Sequence, residues 1–145
     1  MLRLSNVSKS FGGLRAIADV SLEVPAGQFF GIIGANGAGK TTLLNLITGY
    51  DRPSSGRIDF EGDPIHGLPP YRVAQRGIGR TFQITQPFAE MSVLDNVMTG
   101  ALFSRNSSRR TLAQARTLCE EPLRLTGLTA QAHLPAGALT LGGRK

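Results

Sequence analysis

The chain has 145 residues, a length that suits one domain at the usual size of about 100 to 200 residues. With 41% apolar and 18% charged residues it has the balance of a folded domain, which excludes a disordered tail. The formal charge of +6 is uneven: residues 1–95 carry 9 basic and 8 acidic side chains, and residues 96–145 carry 7 basic and 2 acidic. A single cysteine, Cys119, excludes an internal disulfide, and Arg3, Asn6, Ser8 and Lys9 interrupt any leader-like apolar run, so the chain reads as cytosolic. The longest uncharged stretch, residues 125–143, contains Gln131, His133 and Pro135 and fails as a membrane span.

In chain order, Ala18, Val20, Leu22 and Val24 alternate with polar residues and predict a half-buried strand. Residues 29–33, Phe-Phe-Gly-Ile-Ile, are apolar at both parities and predict a strand buried in a parallel sheet. Residues 42–48 predict a helix stopped by Gly49, followed by a turn over 51–56 and a short strand over 57–60. Pro69 or Pro70 opens a short helix that Gly77 closes, and 78–83 is extended. Ser92 and Asp95 have capping-box spacing before an apolar face of Val93, Leu94, Val97, Met98, Ala101 and Leu102. A second amphipathic helix through Leu112, Ala115, Leu118 and Cys119 is expected to end or kink near Glu121, ahead of Pro122.

Between the apolar run and the first helix, residues 34–41 read Gly-Ala-Asn-Gly-Ala-Gly-Lys-Thr, the phosphate-loop pattern G-x-x-x-x-G-K-[ST]. Glycines at 34, 37 and 39 let the backbone turn its N–H groups toward an anion at the positive end of a helix. Lys40 can extend an ammonium to the β and γ phosphates, and Thr41 can offer a hydroxyl to Mg²⁺. The chain has 13 arginines and 3 lysines, yet lysine stands at 40, where a compact point charge suits a tight cradle. His66 and His133 have no second His or Cys at ligand spacing, so no structural metal site is expected.

Four stretches resemble the ATP-binding subunits of ABC transporters, in the family's order. Residues 7–13, Val-Ser-Lys-Ser-Phe-Gly-Gly, are similar to its adenine-stacking loop, the phosphate loop follows, and 79–83, Gly-Arg-Thr-Phe-Gln, is similar to its Q-loop. Residues 139–145, Leu-Thr-Leu-Gly-Gly-Arg-Lys, resemble its signature loop, with Leu141 and Gly143 departing from the usual glycine and glutamine. The runs 77–83 and 87–97 most resemble the branched-chain amino acid importers.

The resemblance implies an α/β fold, a P-loop NTPase sheet subdomain of the ABC ATPase type with a small helical subdomain, incomplete at the C-terminus. It divides the chain into a nucleotide-binding part (1–86), a helical part (87–138) and the start of the signature loop (139–145). The implied cofactors are ATP and Mg²⁺. Phe11 would stack on the base, Gly34, Ala35, Asn36, Gly37, Ala38, Gly39, Lys40, Thr41 and Thr42 would hold the phosphates, Thr41 and Gln83 would hold Mg²⁺, and Lys40 and Gln83 would serve catalysis.

The implied activity is ATP hydrolysis coupled to uptake of branched-chain amino acids or similar small solutes. It would take place at the cytoplasmic face of the cell membrane, on integral-membrane permease subunits and in a homo- or heterodimer of ATP-binding subunits. A periplasmic or extracellular solute-binding protein would take part indirectly, and no nucleic acid is expected. No apolar strand ending in Asp-Glu occurs within 1–145. The chain is therefore expected to be the first part of a longer domain that does not hydrolyse ATP unaided, with Phe29, Phe30, Ile32 or Ile33 exposed. Two other readings stay open: a soluble ABC ATPase acting on nucleic acid or the ribosome, and a non-hydrolytic nucleotide-binding module.

Overall fold

A computed structural model describes residues 1–105 and 110–139, and the chain divides into two compact units, 1–78 and 79–145. The first unit holds a four-stranded antiparallel sheet in the order β2-β1-β3-β4, from β1 (Leu2–Phe11), β2 (Leu14–Val24), β3 (Ser55–Phe60) and β4 (Asp63–Pro64). Its helices are α1 (Lys40–Ile47) and α2 (Pro70–Gln75).

β1 is central, pairing Leu4 with Leu22 on one side and with Ile58 on the other. Its buried apolar positions, Leu4 and Val7, have opposite parity, so strict alternation would turn one of them outward. A register shift between them solves this: Asn6 and Asp19 take φ of 49° and 51°, and Asn6 Nδ2 donates to Asp19 Oδ1 at 2.9 Å. The same irregularity changes which residues of β2 face inward. Ile17 is buried and Ala18 is exposed, contrary to the alternation read from Ala18 onward. One bulge thus keeps β1 and its edge partner β2 on a common apolar face.

Leu43, Leu46 and Ile47 of α1, at i, i+3 and i+4 spacing, cover that face together with Leu4, Val7, Ile17, Ile58 and Ile65. At about 1.5 to 3 kcal/mol for each large apolar side chain taken fully out of water, this cluster is the chief stabilising term of the unit. Gly49 follows the end of α1, as expected, and Pro70 opens α2 with Pro69 as its N-cap. Across the β3–β4 hairpin, His66 Nδ1 lies 3.3 Å from the Ile58 carbonyl oxygen.

The apolar run 29–33 is not a strand. Among the described residues no strand pairs with it, and Phe29 and Ile33 are fully exposed. A strand apolar on both faces needs hydrogen-bonded neighbours and a layer on each side, and the sheet of this unit pairs only strands from 2–24 and 55–64. Residues 78–83, expected to be extended, also lie outside any strand.

The second unit packs α3 (Val93–Phe103) against α4 (Leu112–Leu125). Ser92 caps α3, its Oγ accepting from Asp95 N at 3.0 Å and donating to Asp95 Oδ2 at 2.6 Å. A full capping box starts α4, Thr111 N–H donating to Gln114 Oε1 and Gln114 N–H to Thr111 Oγ1.

Contrary to expectation, α4 runs through Pro122 to Leu125. The proline removes one hydrogen bond, but stopping there would leave Leu123 out of the seam it forms with Ala115 and Cys119. That seam also corrects the expected face of the helix, since Leu112 and Leu118 are exposed. Cys119 Sγ donates to the Ala115 carbonyl at 3.1 Å, and burial pushes its thiol pKa up. Among the described residues no helix is long and apolar enough to cross a membrane.

Candidate nucleotide site

The phosphate-loop motif leads directly into the first turn of α1. Gly39 is the N-cap of α1 in the left-handed conformation, with φ of 85°, and no side chain caps the helix. A Cβ at 39 would stand 2.6 Å from the Ala16 carbonyl oxygen and 2.8 Å from Ile17 Cδ1. The residue is thus held by both backbone angle and contact with β2. Only glycine lets the loop lie this close to the sheet.

No acidic residue lies in the first turn of α1, so nothing there opposes the positive end of the helix. The N–H groups at this end form the kind of donor set that anions take. Ala38 N–H donates to the Ala35 carbonyl at 3.2 Å and closes the loop on itself. A Cβ on Gly34 would come within 3.2 Å of Ala38 Cβ, so the curl is tight across its mouth as well.

Lys40 is half-buried, and its Nζ donates to the carbonyl oxygens of Gly34 at 2.6 Å and Ala35 at 2.7 Å. Those oxygens stand where an anion would be the stronger partner, because a phosphate oxygen brings a formal charge and a carbonyl only a dipole. Thr41 is exposed and Thr42 half-buried, both on the first turn. One hydroxyl is a small part of a Mg²⁺ shell, which is usually completed by waters, phosphate oxygens and one or two carboxylates.

Phe11 ends β1 and is 46% exposed, with Lys9 Nζ 4.7 Å from the ring centroid. Lys9 Nζ is anchored by the Arg52 carbonyl at 2.8 Å. The ring therefore already serves as a stacking platform, for a cation in this structure. Gln83 belongs to the second unit, where it lines an open cavity of about 570 Å³ with Arg80, Thr81, Phe82 and Thr85. The Arg80 guanidinium lies 5.0 Å from the centroid of the Phe82 ring. Of the signature-like stretch, Leu139 is buried in the core of the second unit, and 140–145 lie outside the described residues.

The sequence left two features of the loop unread: the Ala16 carbonyl against Gly39 and the Lys40 clamp on 34 and 35. The first joins residues more than twenty positions apart in the chain. No local pattern encodes it. The second had a signal in the motif itself, since a lysine that can reach a phosphate can also reach the carbonyls around it.

With this geometry in place, comparison with known proteins supplies the family. The sequence pattern of the family described as ABC transporter matches residues 17–144, and the chain belongs to that family. The high-affinity branched-chain amino acid transport ATP-binding protein BraF of Pseudomonas aeruginosa is 35% identical over 156 aligned positions, covering 100% of this chain and 61% of BraF. The spermidine/putrescine import ATP-binding protein PotA of Nitrosospira multiformis is 42% identical over 97 positions, covering 67% of this chain and 26% of PotA.

A solved ADP conformation of an ATP-binding cassette of an ABC transporter superposes with a TM-score of 0.79 at 32% identity, over 99% of this chain and 60% of that one. The fold is therefore that of an α/β ABC ATPase cassette, and the chain spans about three fifths of the length of the BraF relative.

Proposed function

We propose that this chain is the nucleotide-binding stretch of an ATP-hydrolysing importer subunit that serves uptake of branched-chain amino acids. The observation that carries the nucleotide reading is the loop at 34–41. It combines an uncapped helix N-terminus, a glycine that no other residue can replace, and a lysine held by two loop carbonyls.

In this reading ATP draws Lys40 Nζ from the Gly34 and Ala35 carbonyls to its β and γ phosphates, and the amides of 34–42 take the remaining phosphate oxygens. The family resemblance adds Thr41 and Gln83 as the residues that would hold Mg²⁺, whose charge would offset that of the phosphates. Phe11 stacks on the base once Lys9 leaves the ring. Lys40 would then stabilise the charge that develops on the transferred phosphoryl group.

The substrate class rests on the likeness to BraF along the whole chain. A relative named for spermidine/putrescine import is 42% identical over 97 positions, so the cargo reading leans on the match along the whole chain rather than on local identity. A membrane permease pair, a second ATP-binding subunit and a location at the inner membrane face follow from the same reading.

The direct test is equilibrium binding of MgATP to the 145-residue chain and to Lys40→Ala. Losing a charged hydrogen-bond donor should weaken binding roughly ten- to a hundredfold. Equal affinities of the two proteins would refute the phosphate reading.

A further inference from the structure

We propose that Asn36-Gly37 is a self-modification site, at which loss of ammonia puts a carboxylate inside the phosphate loop and switches its anion binding off. The chemistry needs only water. The Gly37 backbone nitrogen gives up its proton and attacks Asn36 Cγ. A bond forms between Gly37 N and Cγ, the Cγ–Nδ2 bond breaks, and the amide leaves as ammonia with the proton released. Water then opens the cyclic imide at either carbonyl, giving aspartate or isoaspartate at 36. No electron is gained or lost.

Three observations single out this asparagine. Residues 36 and 37 are exposed in a turn, and a Cβ at 37 would meet nothing within 4 Å, so the glycine brings no side chain of its own and no neighbour packs on that side of it. Neither the Asn36 side chain nor the Gly37 N–H makes a hydrogen bond among the described residues, so the bond from Ala38 N–H to the Ala35 carbonyl, at 3.2 Å, is the hydrogen bond across the turn that must give for nitrogen and Cγ to meet. The other described asparagines are tied. Asn6 Nδ2 donates to Asp19 Oδ1, Asn45 Nδ2 donates to Asp51 Oδ2 at 3.1 Å, and Asn96 Nδ2 donates to the Ser92 carbonyl at 2.9 Å while its Oδ1 accepts from Phe88 N. Each of these is followed by a branched residue, Val7, Leu46 or Val97.

The consequence rests on the phosphate reading above. A carboxylate at 36 would repel an incoming phosphate and compete for the Lys40 ammonium, which already faces the carbonyl oxygens of the adjacent loop residues. Nucleotide, bound over the loop, would hold it still and slow the reaction.

The test ages the 145-residue chain without nucleotide in mildly alkaline buffer and maps its peptides by mass. The residue-36 peptide should gain the mass separating Asp from Asn ahead of the peptides containing Asn45 and Asn96, and Asn36→Gln should stay unchanged. Conversion at 36 no faster than at 45 and 96 overturns the modification site. Asn36→Asp, confirmed as folded by circular dichroism, should bind MgATP at least about tenfold more weakly than the fresh chain. An affinity equal to that of the fresh chain overturns the switch. A fresh chain that binds no MgATP refutes the phosphate reading, and the switch with it, while the mass comparison still decides the modification.

Discussion

Two apolar stretches of the first unit meet opposite fates. β1 carries polar residues at most positions, yet Leu4 and Val7 are at most 2% exposed, whereas the more apolar run 29–33 has Phe29 and Ile33 fully in solvent. The difference lies in neighbours. β1 has β2 and β3 hydrogen-bonded on its two sides and α1 residues over its face, and 29–33 has no strand beside it among the described residues. Apolar character makes burial favourable; paired backbone makes it possible, because an unpaired buried amide costs about as much as a side chain gains.

The sharpest way to test that contrast is to remove apolar volume from each stretch or its partner. Ile58→Ala, at a side chain fully buried opposite Leu4, should cost about 2 to 5 kcal/mol in denaturant unfolding of the chain. A loss below about 1 kcal/mol would mean that the core around β1 is far looser than its burial implies.

Gly39→Ala tests the joint between the sheet and the loop. With φ of 85° and the Ala16 carbonyl 2.6 Å from the new Cβ, it should lose about 1 to 3 kcal/mol. ATP affinity should fall with it, and full retention of both properties would show that the loop can move off β2.

Phe29→Ser should leave stability within about 0.5 kcal/mol and raise solubility, since the ring is already in water. A clear destabilisation would show that 29–33 has a partner in solution.

The smallest effect belongs to the second unit. The Arg124 guanidinium, 2.8 Å from Glu121 Oε1, holds the Glu121 carboxyl below its usual pKa. A lowered folded pKa gives stability that is present above the unfolded value and lost as pH falls through the folded one. Glu121→Gln should therefore make the acid side of a thermal-unfolding profile slightly flatter than in the unaltered chain. The difference should vanish in high salt, because both side chains lie at the surface.

The sequence itself determined the phosphate loop, the helix that follows it, the cap at Ser92 and the family. The first three are each written in residues within about eight positions of one another, by steric and hydrogen-bonding rules that act locally, and the family is written in the order of several such stretches along the chain. Tertiary structure alone decided which face of β1 and β2 is buried, because the bulge at Asn6 depends on Asp19 across the strand pair.

It also decided that α4 passes through Pro122, because the Ala115, Cys119 and Leu123 seam outweighs one lost hydrogen bond. The same holds for Gly39, which the Ala16 carbonyl requires, and for the lack of a strand at 29–33, whose exposed side chains were themselves expected from the sequence. In every such case the deciding partner lies far away in the chain or is missing from the residues around it. Burial belongs to the set of surfaces brought together, and no single segment carries it.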